Sequence, residues 1–144
     1  MRINPSTVVV ALSGGLDSSF AAARLLDLGW RVRGLHLVLP ASPDILEARR
    51  EAVLRAAAFL DIEVEFLDVT HQFSDRVVTP FVDRYLKGLT PNPCVVCNER
   101  VKFPALCKYA DSLDIGFVAT GHYARRERMG ETIRLLRGSD LLKD

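Results

Sequence analysis

The apolar and polar positions of this chain alternate between short strand-like runs and longer stretches with helical spacing. The first run, residues 8–12, is continuous and rich in β-branched side chains, which is typical of a strand buried on both faces. Further strands are predicted over residues 32–39, 63–69 and 117–120. Helices are predicted over residues 18–28, 43–60, 72–87 and 100–113, with Pro80 expected to kink or split the third. Residues 125–136 predict an antiparallel hairpin around Met129-Gly130.

Strands that alternate with helices at this spacing predict βαβ units. The expected fold class is therefore α/β, with a doubly wound parallel sheet in one domain over residues 1–144 and a β-hairpin in its C-terminal part. Ligands bind such sheets outside the carboxyl ends of the strands, where the strand order reverses. Residues 13–19 follow the first strand and Gly121-His122 follow the fourth, so we expect these two segments to meet.

Composition narrows the class of protein. The length of 144 residues suits one domain. The hydrophobic fraction of 49% and the net charge of +1 exclude a disordered chain, and the low net charge also excludes a strongly basic protein that coats nucleic acid. No apolar run reaches the roughly 20 residues that span a bilayer, and the N-terminus lacks the pattern of a signal peptide. A soluble, cytoplasmic protein without membrane contact is expected. The arginines of residues 125–137 outnumber the glutamates, which suits either RNA phosphate contacts or a solvated charged hairpin.

A loop with two glycines, Ser13-Gly14-Gly15-Leu16-Asp17-Ser18-Ser19, separates the first strand from the first helix. Glycines there let backbone amides approach an anion, and the helix N-terminus adds partial positive charge. The loop has no lysine, unlike a Walker A motif, so Mg²⁺ held near Asp17 is expected to neutralise a bound phosphate. The alternative is a tight turn in which serine or aspartate caps the helix.

Two of the three cysteines lie in a proline-rich segment, residues 91–97. A helix that starts near Asn98 would place Cys97 at its N-terminus, where the dipole and the nearby Arg100 and Lys102 would lower the pKa of the thiol and make it a nucleophile. If the helix starts only at Pro104, the basic neighbours must suffice. The Cys-x-x-Cys spacing also fits a redox dithiol, half of a zinc site or part of an iron–sulfur ligand set. Two buried, inert thiols are the remaining interpretation, against which the polarity of the segment argues.

Four ordered segments resemble motifs of known families. Residues 13–18 are similar to the SGGxDS loop of the PP-loop ATP pyrophosphatases, which also follows a first strand. Residues 88–103 resemble the GxTPNPxxxCNxxIKF segment of tRNA-specific 2-thiouridylases, and residues 119–125 resemble the ATGHYAR motif of that family. Residues 136–144 resemble its next block. The chain is therefore similar, over nearly its whole length, to the N-terminal part of a tRNA 2-thiouridylase.

The resemblance implies a reaction and a set of site residues. PP-loop enzymes cleave ATP between the α and β phosphates, and in this family that step adenylates the C2 oxygen of the wobble uridine of tRNA before sulfur is delivered to the carbon. ATP and Mg²⁺ are the implied cofactors, and tRNA and a persulfide carrier protein, as sulfur donor, are the implied partners. Cys97 matches the first catalytic cysteine, and Asp17 would act through Mg²⁺. The residues implied for ATP are Ala11, Leu12, Ser13, Gly14, Gly15, Leu16, Asp17, Ser18, Leu37 and Gly121, and those for the target base or tRNA are Asn92, Pro93, Cys94 and Lys143.

The chain departs from the family in two respects. Position 94 is often acidic in the family, whereas Cys94 stands here and is expected either to resolve a disulfide with Cys97 or to help hold an iron–sulfur cluster. The family's second cysteine and further tRNA-binding domains lie beyond Asp144, so a truncated form or a short paralogue is expected. Cys107 is expected to be a buried apolar residue. The alternative function is a nucleotide-binding or sulfur-relay module that uses Cys94 and Cys97 as a redox pair or as cluster ligands without complete thiolation.

Overall fold

A parallel sheet lies at the centre of the computed structural model, which describes residues 7–140. Its four strands are β1 (Thr7–Ala11), β2 (Arg31–Val38), β3 (Val64–Asp68) and β4 (Val118–Ala119). Their order is β3-β2-β1-β4, and each neighbouring pair is parallel. The predicted α/β class with a parallel sheet is confirmed, and the strand order reverses between β1 and β4.

Helices cover both faces of this sheet. They are α1 (Leu16–Asp27), α2 (Pro43–Leu60), α3 (Thr70–Phe73), α4 (Thr79–Leu86), α5 (Pro93–Cys97) and α6 (Phe103–Ser112). Val8 and Val10 of β1 pack in one cluster with Ala22 of α1, whereas Val9 packs in another with Leu106 of α6. Because β1 is buried on both faces, its sequence is apolar without interruption. Within residues 7–140, no helix is both long and apolar enough to cross a membrane.

The first two helices begin and end close to their predicted bounds. Gly29 adopts a φ of 83° directly after the C-cap of α1, which is the left-handed conformation that favours glycine at a helix stop. Ser42 is the N-cap of α2 and Pro43 stands at its start, as predicted, although the Ser42 side chain makes no capping hydrogen bond.

Each of the two later helical runs contains a π-helical turn, and a helix with proline at its second position follows that turn directly. The turn Ser74–Val78 joins α3 to α4, and the turn Asn98–Lys102 joins α5 to α6. Pro104 has no N–H, so the carbonyl of Arg100 loses its α-helical partner four residues on. Nη1 of Arg76 donates a hydrogen bond to that carbonyl oxygen at 3.0 Å. Pro80 was expected to kink or split its helix, but residues 70–86 form one continuous helical run, in which a π turn precedes the proline.

The helical run that contains Cys97 begins at Pro93, so the prediction that Cys97 lies at a helix N-terminus is wrong. Asn92 is the N-cap, and its Oδ1 accepts hydrogen bonds from the backbone N–H groups two and three residues on, at 3.1 and 3.3 Å. Pro93 suits the first helical position because it has no N–H to satisfy. The helix therefore starts well before Asn98, and Cys97 lies inside the run.

The predicted hairpin is confirmed as a separate two-stranded antiparallel sheet. It consists of β5 (Ala124–Met129) and β6 (Thr132–Arg137). Met129 pairs with Thr132, so the connecting turn has two residues, and Gly130 occupies its first position with a φ of 62°. Almost every side chain of the hairpin is exposed.

Candidate functional site

A cleft of about 450 Å³ opens at the carboxyl edge of the sheet, beside the reversal of strand order. Its walls come from the loop after β1, the C-terminal end of β2 and the loop after β4. Seven of the residues predicted to bind ATP line it: Ala11, Leu12, Ser13, Asp17, Ser18, Leu37 and Gly121. Gly14, Gly15 and Leu16 belong to the same loop but are not on the cleft wall, and Leu16 is 83% exposed.

The loop between β1 and α1 is held by its own serines. Oγ of Ser18 accepts a hydrogen bond from the N–H of Ser13 at 3.1 Å and donates one to the carbonyl of Gly15 at 3.1 Å. Gly15 is the N-cap of α1, and no side chain caps that helix. The N-cap position of α1 is therefore a glycine and not the serine or aspartate that the alternative interpretation requires.

Two glycines fix where this loop lies. Gly14 has a φ of 79°, and a Cβ there would stand 2.9 Å from the backbone nitrogen of Val53 on α2. A Cβ at Gly121 would stand 2.8 Å from the backbone nitrogen of Ser18. Only glycine permits these approaches, since real Cβ atoms do not come closer than about 3 Å to backbone atoms.

The loop after β4 meets the loop after β1, as predicted. Gly121 packs directly on Ser18, and the hydroxyl of Tyr123 donates a hydrogen bond to Oδ1 of Asp17 at 2.8 Å. Nδ1 of His122 lies 2.9 Å from Oγ1 of Thr120. Burial and the charge of Lys102 lower the pKa of His122, so its imidazole is neutral at neutral pH.

Two basic side chains of the cleft were missed by the sequence analysis. Lys102, at the end of the π turn, and Arg49 of α2 both line the cleft with Asp17 and Ser18. Lys102 was read only as a neighbour of Cys97, and nothing in the local pattern of α2 separates Arg49 from its other exposed charges. These side chains give the cleft the positive charge that the lysine-free loop itself lacks.

Cys97 does not line the cleft. Its residue is 5% exposed, and it packs in a cluster with Val69, Val77 and Val101. Burial raises the pKa of the Cys97 thiol, Lys102 partly offsets this rise, and the charge of Cys94 adds to it. The prediction of a lowered thiol pKa is therefore wrong, because the helix starts too early to place Cys97 at its N-terminus and the run turns its side chain into the core.

The other residues of the proline-rich segment also lie away from the cleft wall. Asn92 and Pro93 line a separate cavity of about 30 Å³, together with Arg84 and Arg100. Cys94 is exposed. Lys143, predicted to touch tRNA, lies outside the described residues.

The cysteines do not assemble into a ligand set. All three are free thiols, and Cys107, expected to be buried, is exposed on α6, so that prediction is wrong. Among residues 7–140, no group of three or more His, Cys, Asp or Glu side chains is placed to hold a metal ion. The described part of the chain therefore offers no complete site for zinc or for an iron–sulfur cluster.

Solved structures share this fold. The predicted subunit of tRNA methyltransferase from Methanocaldococcus jannaschii superposes with a TM-score of 0.60 at 20% identity, over 88% of this chain and 57% of that one. The NMN synthetase of Francisella tularensis superposes with a TM-score of 0.51 at 18% identity, over 77% and 43%. At these identities the likeness shows the fold alone.

Curated relatives are closer in sequence. The tRNA-specific 2-thiouridylase MnmA of Campylobacter fetus subsp. fetus is 47% identical over 120 residues, which are 83% of this chain and 36% of that protein. MnmA of Acidothermus cellulolyticus is 43% identical over 147 positions, covering 95% of this chain and 40% of that protein. The chain thus spans about two-fifths of the length of these relatives. Residues 6–144 match the family described as the tRNA methyl transferase HUP domain, and the chain belongs to that family.

Proposed function

We propose that the chain is the ATP-binding and adenylating domain of a tRNA 2-thiouridylase, acting at C2 of the wobble uridine, and that residues 1–144 form this one domain. The proposal is carried by one observation: the loop after β1 and the loop that contains Gly121 meet at a cleft of about 450 Å³. This volume suits a small-molecule ligand, for which pockets of about 300–1,000 Å³ are usual. The relatives named as tRNA-specific 2-thiouridylases support thiolation as the outcome. A tRNA substrate also favours a cytoplasmic location.

ATP fits this cleft with its phosphates at the start of α1. The N-terminus of α1 presents backbone N–H groups and the positive end of the helix dipole, and its N-cap, Gly15, has no side chain, so this end would attract phosphate oxygens. Lys102 and Arg49, which also line the cleft, add positive charge. Asp17, in the first turn of α1, is the cleft carboxylate that would hold Mg²⁺ with the phosphates, and the ion would neutralise their charge, since Mg²⁺ usually takes one or two carboxylates plus phosphate oxygens. The adenine would lie toward Leu37 at the end of β2.

The chemistry follows from this placement. The C2 oxygen of the uridine attacks the α-phosphorus, the bond to the β-phosphate oxygen breaks, and pyrophosphate leaves with that electron pair. Lys102 and Arg49 would stabilise the charge that develops on the phosphates. The outer sulfur of a carrier protein's persulfide would then attack C2, and AMP leaves with the electron pair of the C2–O bond. The Cys97 thiolate would attack the inner sulfur of the resulting disulfide, so that the outer sulfur stays on C2 and a disulfide forms between Cys97 and the carrier, which an external thiol reduces. His122 is neutral and bonded to Thr120, so an orienting role suits it.

Cys97 remains the proposed nucleophile for the sulfur step, and its burial implies that α5 must open first. The segment has a weak point for such opening: Oδ1 of Asn98, the next residue, is buried with no hydrogen-bond partner among the described residues. An unsatisfied buried acceptor costs about 1–3 kcal/mol. Opening of α5 would relieve this cost and expose the Cys97 sulfur to a persulfide carrier protein. The alternative sulfur-relay function requires a reactive Cys94–Cys97 pair in the resting state, which the burial of Cys97 disfavours.

An ATP titration tests the proposal. We expect the wild type to bind ATP with Mg²⁺ and Gly121→Ala to bind it at least tenfold more weakly, because the added Cβ forces the two loops apart. Isothermal calorimetry measures both affinities. A wild type that binds S-adenosylmethionine but not ATP would point to methyl transfer and overturn the proposal.

A matched pair of lysine variants separates loss of binding from loss of folding. Lys102→Met removes a cation from the cleft, whereas Lys108→Met removes one from the exposed surface of α6. Lys102→Met is expected to weaken ATP binding about tenfold, which corresponds to about 1.4 kcal/mol of lost binding energy. Lys108→Met is expected to leave the affinity unchanged. Equal affinities in the two variants would contradict the phosphate-binding role of Lys102.

A further inference from the structure

The two faces of the hairpin differ in charge. Along a strand, side chains alternate between faces, and residues directly opposite across an antiparallel pair share one face. One face, here called the arginine face, carries Ala124, Arg126, Arg128, Ile133, Leu135 and Arg137. The other, the mixed face, carries Arg125, Glu127, Met129, Thr132, Arg134 and Leu136. The arginine face thus has three cations and no carboxylate, whereas the mixed face carries Glu127 directly opposite Arg134.

Both faces of the hairpin are exposed, and the arginine face is exposed at every residue. Leu136, on the mixed face, is the single half-buried residue of the two described strands. On the arginine face, Leu135 is 81% exposed and Ile133 is 60% exposed. Aliphatic side chains left this open beside arginines form a surface suited to a partner with both charged and apolar groups.

The hairpin rises directly from the rim of the cleft. Tyr123 immediately precedes β5 and is bonded to Asp17 in the loop after β1, while residues 120–122 form part of the cleft wall. A polyanion with one unit inserted in the cleft would therefore run past the hairpin. Nε of Arg128 donates to the carbonyl of Gly130 at 3.2 Å, which holds this guanidinium near the turn.

We propose that the arginine face binds the sugar–phosphate backbone of the RNA whose base reacts in the cleft, an inference that rests on the function proposed above. Side chains two residues apart on a strand are about 6.8 Å apart, so Arg126 and Arg128 can each engage a different phosphate. Leu135 and Ile133 lie directly opposite Arg126 and Arg128 on the neighbouring strand and would cover the apolar side of the riboses. Glu127 would repel phosphates from the mixed face.

Two double variants test the proposal as a matched pair. Arg126→Gln with Arg128→Gln removes two charges from the arginine face, and Arg125→Gln with Arg134→Gln removes two from the mixed face. Each pair also removes one guanidinium-to-carbonyl hydrogen bond, from Arg128 to Gly130 or from Arg125 to Arg137. Affinity for an unmodified tRNA transcript is measured by fluorescence anisotropy at several salt concentrations.

The arginine-face pair is expected to bind tRNA at least tenfold more weakly, whereas the mixed-face pair should stay within about twofold of the wild type. For the arginine-face pair, the slope of log affinity against log salt concentration should become shallower by about 1.4, because each of the two lost contacts to a single strand contributes about 0.7. The variant Arg126→Lys with Arg128→Lys, which keeps the charge, should restore the salt slope. ATP affinity, measured alongside, should be unchanged in all three.

Several outcomes would overturn the inference. They are equal losses in the two glutamine pairs, no tRNA binding by the wild type, or binding to vesicles of anionic lipid in place of tRNA. Normal ATP affinity in the wild type together with any of these outcomes rejects the RNA-binding face and spares the nucleotide site. Failure of ATP binding itself rejects the proposed function.

Discussion

Cys97 and Lys102 lie five residues apart on one helical run, yet their surroundings are opposite. The sulfur of Cys97 packs among valines, whereas Lys102 lines the cleft and its charge acts on both Cys97 and His122. The charge of Lys102 thus acts both on the buried thiol and on a residue of the cleft wall. Because burial outweighs the effect of this lysine, the neutral thiol is the resting form of Cys97 at neutral pH.

The resting chain should therefore protect Cys97 from alkylation. Iodoacetamide at neutral pH is expected to label the exposed Cys94 at least tenfold faster than Cys97, because the raised pKa lowers the thiolate fraction and the valines block access. Labelling of Cys97 should accelerate as the pH rises through its raised pKa. Peptide mass spectrometry measures the rates, with urea-unfolded protein as the control in which the two cysteines react alike. Equal rates in the folded protein would show that the sulfur is already accessible.

At the scale of elements, the two proline-containing helical runs support each other. Both contain a π turn, and Arg76 from the first donates to the carbonyl of Arg100 that Pro104 leaves without its helical partner. This bond joins the first run to the run that holds Cys97, and Val77 of the first run also packs in one cluster with Cys97 and Val101 of the second. The position of the α5–α6 run therefore depends on the α3–α4 run.

Loss of that bond should be measurable as stability. Arg76→Ala is expected to lower the free energy of unfolding by about 1–2 kcal/mol, since hydrogen bonds from charged groups are stronger than neutral ones. Urea unfolding followed by circular dichroism measures the change. Arg55→Ala, which removes the exposed ion pair with Glu51, is the control and should cost about 0.5 kcal/mol or less. An unchanged stability in Arg76→Ala would show that the carbonyl of Arg100 is satisfied without it.

Local pattern was sufficient for some elements and insufficient for others. The start of α2 and the hairpin follow from Pro43 and from the two-residue turn at Gly130, both short-range effects. The start of α5 was misplaced because Asn92 and Asn98 are both good N-cap residues, and only the proline after Asn92 distinguishes them. The burial of Cys97 could not be predicted locally, because the side chains that cover it include Leu67 of β3 and Val77 of the π turn Ser74–Val78, which are distant in sequence.

At the scale of the whole molecule, β1 contributes to the stability of the fold and also positions the cleft. It is central in the sheet, packs helices on both faces and leads directly into the loop of the cleft. The meeting of that loop with Gly121 was predictable from the topology of a parallel sheet. The positions of Arg49 and Lys102 were not, because they depend on how helices from other parts of the chain pack around the cleft.

A core substitution in β1 should therefore be costly. Val9 is 0% exposed. Val9→Ala is expected to lower the free energy of unfolding by about 2 kcal/mol, because apolar burial is lost and a small cavity is left. Val82→Ala on α4, where the side chain is 45% exposed, should change stability by about 0.5 kcal/mol or less. Thermal and urea unfolding compare the two. Similar losses in both variants would contradict the central role of β1.

The hydrogen bond from Tyr123 to Asp17 has a thermodynamic consequence. One carboxylate serves both the cleft, where it would hold a magnesium nucleotide, and the base of the hairpin, where it would steady an RNA-binding face. Any ligand that redistributes the charge of this carboxylate changes the strength of its bond to Tyr123. Nucleotide and RNA would then be linked ligands, and by reciprocity each would alter the affinity of the other by the same factor. A domain with this contact would sense in its nucleotide site whether its polymeric substrate is present.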